Sequence, residues 1–179
     1  MGRYLQAILT TYETAICYRF PFFFFFCSSC SNDETSQRKH VIVDIQPFAG
    51  FPNEMTQKVA IQIKNIYPHI SIKPEIPLPS SSFYSPRNRY RADSPIRFLK
   101  RRTAPGHVTI GLTNKDISTT DGKIKDWGIM GLGFRPGNSC VVSSFRLNKG
   151  KVSSQFYKVC IHELGHTSGL DHCPEKNVL

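Results

Sequence analysis

His162-Glu163-Leu164-Gly165-His166-Thr167-Ser168-Gly169-Leu170-Asp171-His172, near the end of a 179-residue chain, decides how everything before it is read. On an α-helix, His162 and His166 stand at i and i+4, so their rings lie on one face and can share one ion. Glu163 is about 100° around the helix from His162, within reach of water held on that ion. Gly169 ends the helix, because a residue at positive φ lets the chain turn sharply. That turn returns His172 as a third ligand. Three neutral imidazoles leave a zinc ion its full charge and a fourth position for water, whose pKa falls to about 7. Glu163 is then the general base that takes the water's proton and hands it to a leaving amine. An ordinary helix with incidental histidines has no reason to keep Glu163 and Gly169 in register as well.

Upstream of the motif, Ser153 or Ser154 is an N-cap candidate for a helix running through Phe156, Val159, Cys160 and Leu164. Asn148-Lys149-Gly150 reads as a turn. Asn138 to Leu147 reads as a strand that follows the glycine-rich stretch from Gly128 to Gly137, and His107 to Thr113 reads as another. Further back, His40 to Gln46 alternates and is rich in β-branched residues, which suits a strand. Pro52-Asn53 opens a helix to about Tyr67, with Asn53 as N-cap and Met55, Val59, Ile63 and Ile66 on one face. Ile70 to Lys73 is a short strand before a proline-rich and serine-rich loop through Ser85. Strands interleaved with helices predict an α/β or α+β domain.

Composition narrows the classes. With 40% apolar and 20% charged residues, the chain is not a wholly disordered one. It holds no run of 18 apolar residues, which excludes a multi-pass membrane protein. Six cysteines are too few for a disulfide-built miniprotein. The net charge of +10 is concentrated between Arg87 and Arg102, where seven basic residues and Asp93 contribute +6. Ser94-Pro95 starts a helix there, with Ile96 and Leu99 turned inward. No nucleic-acid motif accompanies the charge, so a solvated basic face is expected and no nucleic-acid partner. Cys140 and Cys160 read as buried thiols, and His40, His69 and His107 lack ligand spacing.

Residues 1–30 read as an N-terminal segment apart from the domain at 31–179. Six of the thirteen phenylalanines fall between Phe20 and Phe26, followed by Cys27-Ser28-Ser29-Cys30. A short apolar run ending at a cysteine and a polar tether predicts export, with lipid attachment at Cys27; the alternative is a disordered N-terminal segment on a cytoplasmic protein.

The motif resembles that of the metzincin metallopeptidases, and with Cys173 after the third histidine it is similar to the archaemetzincin version, H-E-x-x-H-x-x-G-x-x-H-C. Phe83 to Ala92 is similar to that family's tyrosine-and-arginine segment. Val108 to Asp116 resembles its strand ending in Thr-x-x-Asp, and Gly131-Leu132-Gly133 with Cys140 to Leu147 resembles its glycine turn and edge strand. The resemblance implies a zincin-like mixed sheet with a zinc-binding helix, and a zinc peptidase acting on peptides or proteins; a monomer is expected. It also implies that the strand bordering the cleft pairs with substrate, which assigns that role to Cys140, Val141, Val142, Ser143, Ser144 and Phe145. The family builds a methionine turn and a second, structural zinc from cysteines that follow the motif. Here Val178 stands at the next cysteine position and Leu179 is the last residue, so Cys173 is expected to be a remnant and only one catalytic zinc is expected. Two competing readings are a zinc-binding protein without catalysis and a basic nucleic-acid-binding module.

Overall fold

A computed structural model describes residues 41–148, 150 and 152–172. The N-terminal segment with Cys27, the residue His40, and Cys173 with the positions after it lie outside the described residues. Strand β1 (Ile42–Pro47) is followed by helix α1 (Asn53–Lys64) and strand β2 (His69–Ile72). Two very short strands, β3 (Phe83–Tyr84) and β4 (Arg89–Arg91), lead to helix α2 (Asp93–Lys100). Strands β5 (His107–Thr113), β6 (Ile117–Asp121), β7 (Ile124–Ile129), β8 (Gly131–Gly133) and β9 (Ser139–Ser143) precede helix α3 (Val152–Thr167). The expected mixing of strands and helices is what is found.

The main sheet runs β2-β1-β5-β9-β8. Its first four strands are parallel and β8 is antiparallel to β9. Parallel strands covered on both faces read as nearly continuous apolar runs, and Ser139-Cys140-Val141-Val142-Ser143 is buried throughout. Helices α1 and α3 cover one face. Thr56, Val59, Ala60 and Ile63 of α1 repeat at helical spacing. Val59, Ala60 and Ile63 join Phe156, Cys160 and Leu164 of α3, and Val43, Ile45, Ile110, Leu112, Cys140 and Val142 of the sheet, in one core. Phe51 lies against Phe156 with ring centroids 5.4 Å apart. Because side chains alternate along a strand, Val141 points the other way, into a second core with Phe48, Ile96 and Leu99 under α2.

A smaller sheet, β3-β4-β6-β7, stands beside the main one. None of its strands is predicted from sequence: β3 and β4, of two and three residues, are too short to show a period, and β6 and β7 received no assignment. Ion pairs hold it in place. Asp116 accepts from Arg146 Nε at 2.7 Å and Nη2 at 2.9 Å, and pairs with Arg89 Nε at 3.0 Å. Asp126 of β7 pairs with Arg89 Nη1 at 3.0 Å. The basic stretch is therefore partly buried and neutralised at its N-terminal end, where a solvated face was expected.

Four boundaries differ from expectation. Pro52 is the cap of α1 in place of Asn53, and its carbonyl accepts from Thr56 N at 3.1 Å. Ile66 falls past the helix end and is exposed. Helix α2 starts at Asp93, before Ser94, with Ala92 as cap. Helix α3 includes Val152, so Ser153 and Ser154 lie inside it.

The strand expected over Asn138 to Leu147 is shorter, because the main chain turns at Ser144: Ser143 Oγ bonds the Lys115 carbonyl at 2.5 Å and accepts from Phe145 N at 3.1 Å. More important, β9 is not an edge. It is paired on both sides, with β5 and β8, so Cys140, Val141, Val142 and Ser143 have no free ladder for a peptide, and Ser144 and Phe145 lie outside the sheet. On the cleft side the sheet ends at β8.

Asp116→Ala leaves Arg89 with Asp126 alone and Arg146 without its bidentate partner. Breaking a buried pair of this kind costs about 3 kcal/mol, to be read as a lower urea midpoint at unchanged m-value.

Candidate metal centre and cleft

Helix α3 has two faces. Phe156, Cys160 and Leu164 are driven into the core, and this turns His162 and His166 toward the cleft beneath β8. The helix ends where Gly169 takes φ +88, with Gly169 N bonding the His166 carbonyl at 2.9 Å and Leu170 N bonding the Gly165 carbonyl at 3.2 Å. This is a left-handed termination that glycine enters without steric cost. It reverses the chain and brings His172 back over the other two rings.

One ligand atom from each of His162, His166 and His172 falls within 4.8 Å of the others. The Nε2 atoms of His162 and His166 face each other at 3.0 Å. The Nδ1 of His166 is tied to the Leu170 carbonyl at 2.8 Å. That bond places the proton on Nδ1 and leaves the Nε2 lone pair free, the usual outer support of a metal-binding imidazole. Burial, reinforced by the neighbouring His166 and His172, pushes the His162 imidazole below its ordinary range and favours the neutral, ligating form. Three neutral nitrogens converging with one side open fit a tetrahedral divalent ion such as zinc. Among the described residues no other group of three such side chains converges in this way.

Glu163 is buried against β8. Burial alone pushes its carboxyl up to about 7. Its surroundings explain two glycines that had been read only as a turn. A Cβ on Gly131 would lie 2.6 Å from Glu163 Oε1, and one on Gly133 would lie 2.9 Å from the Glu163 carbonyl oxygen. The edge strand therefore rests directly on the backbone and carboxylate of the helix residue, which only glycine permits.

The cleft has a volume of about 460 Å³ and is lined by Gly131, Leu132, Gly133, Arg135, His162, Glu163, His166 and His172. Arg135 is anchored to Asp171 across the helix end. A second, more apolar cavity of about 400 Å³ adjoins it, lined by Trp127, Met130, Gly131, Arg146 and Val159, with His162 and Glu163 at its inner wall. Trp127, Met130 and Arg135 were not singled out by sequence, and Gly131 and Gly133 only as a turn. Glycine density was the available signal, and it did not say what the glycines approach.

The remaining predicted positions fall away from the cleft. Cys140 and Cys160 are buried free thiols, each pushed up by burial first and then by the Glu163 charge. His107 bonds Asp44 at 2.8 Å, and His69 is exposed.

No model of a known protein family matches the chain. An archaemetzincin from Haloquadratum walsbyi is 28% identical over 146 residues, 74% of this chain and 82% of the relative. The crystal structure of the Archaeoglobus fulgidus archaemetzincin, complexed with malonate, superposes with a TM-score of 0.62 at 26% identity, over 75% of this chain and 82% of that one. The Methanopyrus kandleri archaemetzincin structure gives a TM-score of 0.65 at 24% identity, over 78% and 79%.

Two outcomes check the packing. Gly133→Ala pushes β8 away from α3 and costs about 1–3 kcal/mol, the range for overpacking a tight site, read by thermal unfolding. Cys140 and Cys160 stay unmodified by a thiol reagent in the native protein and react after unfolding, as mapped by peptide mass spectrometry.

Proposed function

We propose that this archaemetzincin-like chain is a zinc metallopeptidase, with His162, His166 and His172 holding a single catalytic ion and Glu163 as its general base. The observation that carries the reading is the convergence of three histidine nitrogens beside a buried carboxylate at the floor of an open cleft. Zinc bound there supplies Lewis acidity to a peptide carbonyl and acidifies water. The chain's own residues do the rest. His166, locked by the Leu170 carbonyl, fixes the ligand geometry. Glu163, one residue along from His162 and held under β8, is placed to take a proton from water and deliver it to the leaving nitrogen.

The free edge of β8 offers main-chain donors and acceptors beside Glu163, so an extended peptide can bind by strand addition. Pairing of that kind gives affinity with little dependence on side chains. Selectivity comes from the adjoining apolar cavity, where Trp127, Met130 and Val159 suit a large apolar side chain next to the bond cleaved.

Metal analysis of the purified protein is expected to find one tightly bound zinc, and a chelator to abolish peptide cleavage. Glu163→Gln keeps the zinc and lowers kcat by at least about 100-fold, the range for loss of a general base. Zinc retained with undiminished cleavage in that variant rules out the assigned role of Glu163.

A further inference from the structure

The arginines among the described residues divide into two groups. Arg87, Arg89, Arg91, Arg135 and Arg146 each pair with a carboxylate. Arg97, Arg101 and Arg102, at the C-terminal end of α2 and just beyond it, are exposed, and no ion pair among the described residues involves them. Lys100 is likewise exposed and unpaired. Four cations without acidic partners thus gather at one helix end. There the negative end of the helix dipole tolerates them without an acid.

This cluster touches the edge of the cleft. Lys100 Nζ lies 5.5 Å from the centroid of the Phe134 ring. Phe134 follows Gly133, the last residue of β8, and precedes Arg135, which lines the cleft. The cationic end of α2 therefore continues the free edge strand in one direction, past Gly133. The opposite direction, past Gly131, leads to the apolar cavity around Trp127.

We infer that the exposed cations at the end of α2 form a secondary docking surface for an acidic stretch of a polypeptide substrate, on the N-terminal side of the bond cleaved. The inference rests on the peptidase reading above. The side follows from strand direction. A peptide added to β8 in the stronger, antiparallel sense runs from Gly133 toward Gly131, so its N-terminal part lies at Phe134 and Lys100. A single-stranded nucleic acid is the other polyanion of this charge, but it needs open ring faces for stacking. The two rings within the cluster each have a cation over one face: Phe134 has Lys100 and Phe98 has Arg102, at 5.1 Å.

The test uses fluorogenic peptides that share one apolar core and carry a run of glutamates on the N-terminal side, on the C-terminal side, or glutamines in their place. The ratio of kcat/KM for the N-terminal glutamate peptide to that for the glutamine peptide is expected to be about tenfold at low salt, from a few exposed charge pairs. It falls toward one at high salt, and in the triple variant Lys100→Ala, Arg101→Ala, Arg102→Ala. A ratio that survives in the triple variant overturns the inference, as does a preference for C-terminal glutamates. Fluorescence anisotropy with the same labelled peptides decides the matter independently of turnover. Acidic-peptide binding that is lost in the triple variant supports the surface even if nothing is cleaved, in which case only the peptidase reading fails. Tighter binding of a single-stranded oligonucleotide of equal charge overturns it.

Discussion

A single carboxylate, that of Asp116, ties the architecture together. It lies after β5, receives both donors of Arg146 from the turn after β9, and pairs with Arg89 from β4. Three segments distant in sequence thus meet at one buried charge. Neutralised arginines in this position specify register, because any slip leaves a charge unpaired at a cost of several kcal/mol. The small sheet sends Ile117 into the core under α2, with Tyr90 and Ile129 packed against it, and these pairs hold its strands in register there. Its last strand then runs through Met130 into β8, and Ser143 N bonds the Met130 carbonyl at 2.7 Å. The ionic cluster therefore also sets where the edge of the cleft lies.

From that edge inward, close packing does the positioning. Gly131 and Gly133 let β8 sit on Glu163 itself, and the core residues of α3 keep His162 and His166 turned out of the interior. The same helix is therefore part of the main core and the floor of the site, so stability and ligand geometry are not separable in it. The cleft is asymmetric in consequence. One end opens on an apolar cavity beside Trp127, and the other on the unpaired cations of α2.

How much of this was legible depended on range along the chain. The histidine cluster was legible because helical spacing alone stacks residues four apart, and because Gly169 signals the turn that returns His172. The strand over His107 to Thr113 matched at both ends, since a buried parallel strand carries its signal in its own composition. The small sheet escaped, because Phe83–Tyr84 and Arg89–Arg91 are too short to show a period and are held by partners elsewhere in the chain. The basic stretch looked uniform in sequence. In space its first three arginines are paired and its last four cations are not, a distinction made only by where the aspartates fall.

The misassigned edge strand shows the limit most plainly. Cys140 to Ser143 has the composition of a strand, and it is one, but whether a strand is internal or at the border depends on what pairs with each side of it. Here β8 returns antiparallel and takes the border. By itself, then, the sequence determined the chemistry that could be done, since residue type and helical spacing put three imidazoles and a carboxylate within reach of one ion. The tertiary structure decided which strand borders the cleft and which charges are left without an acidic partner among the described residues, because strand order and ion pairing are properties of contacts between segments that no local pattern encodes.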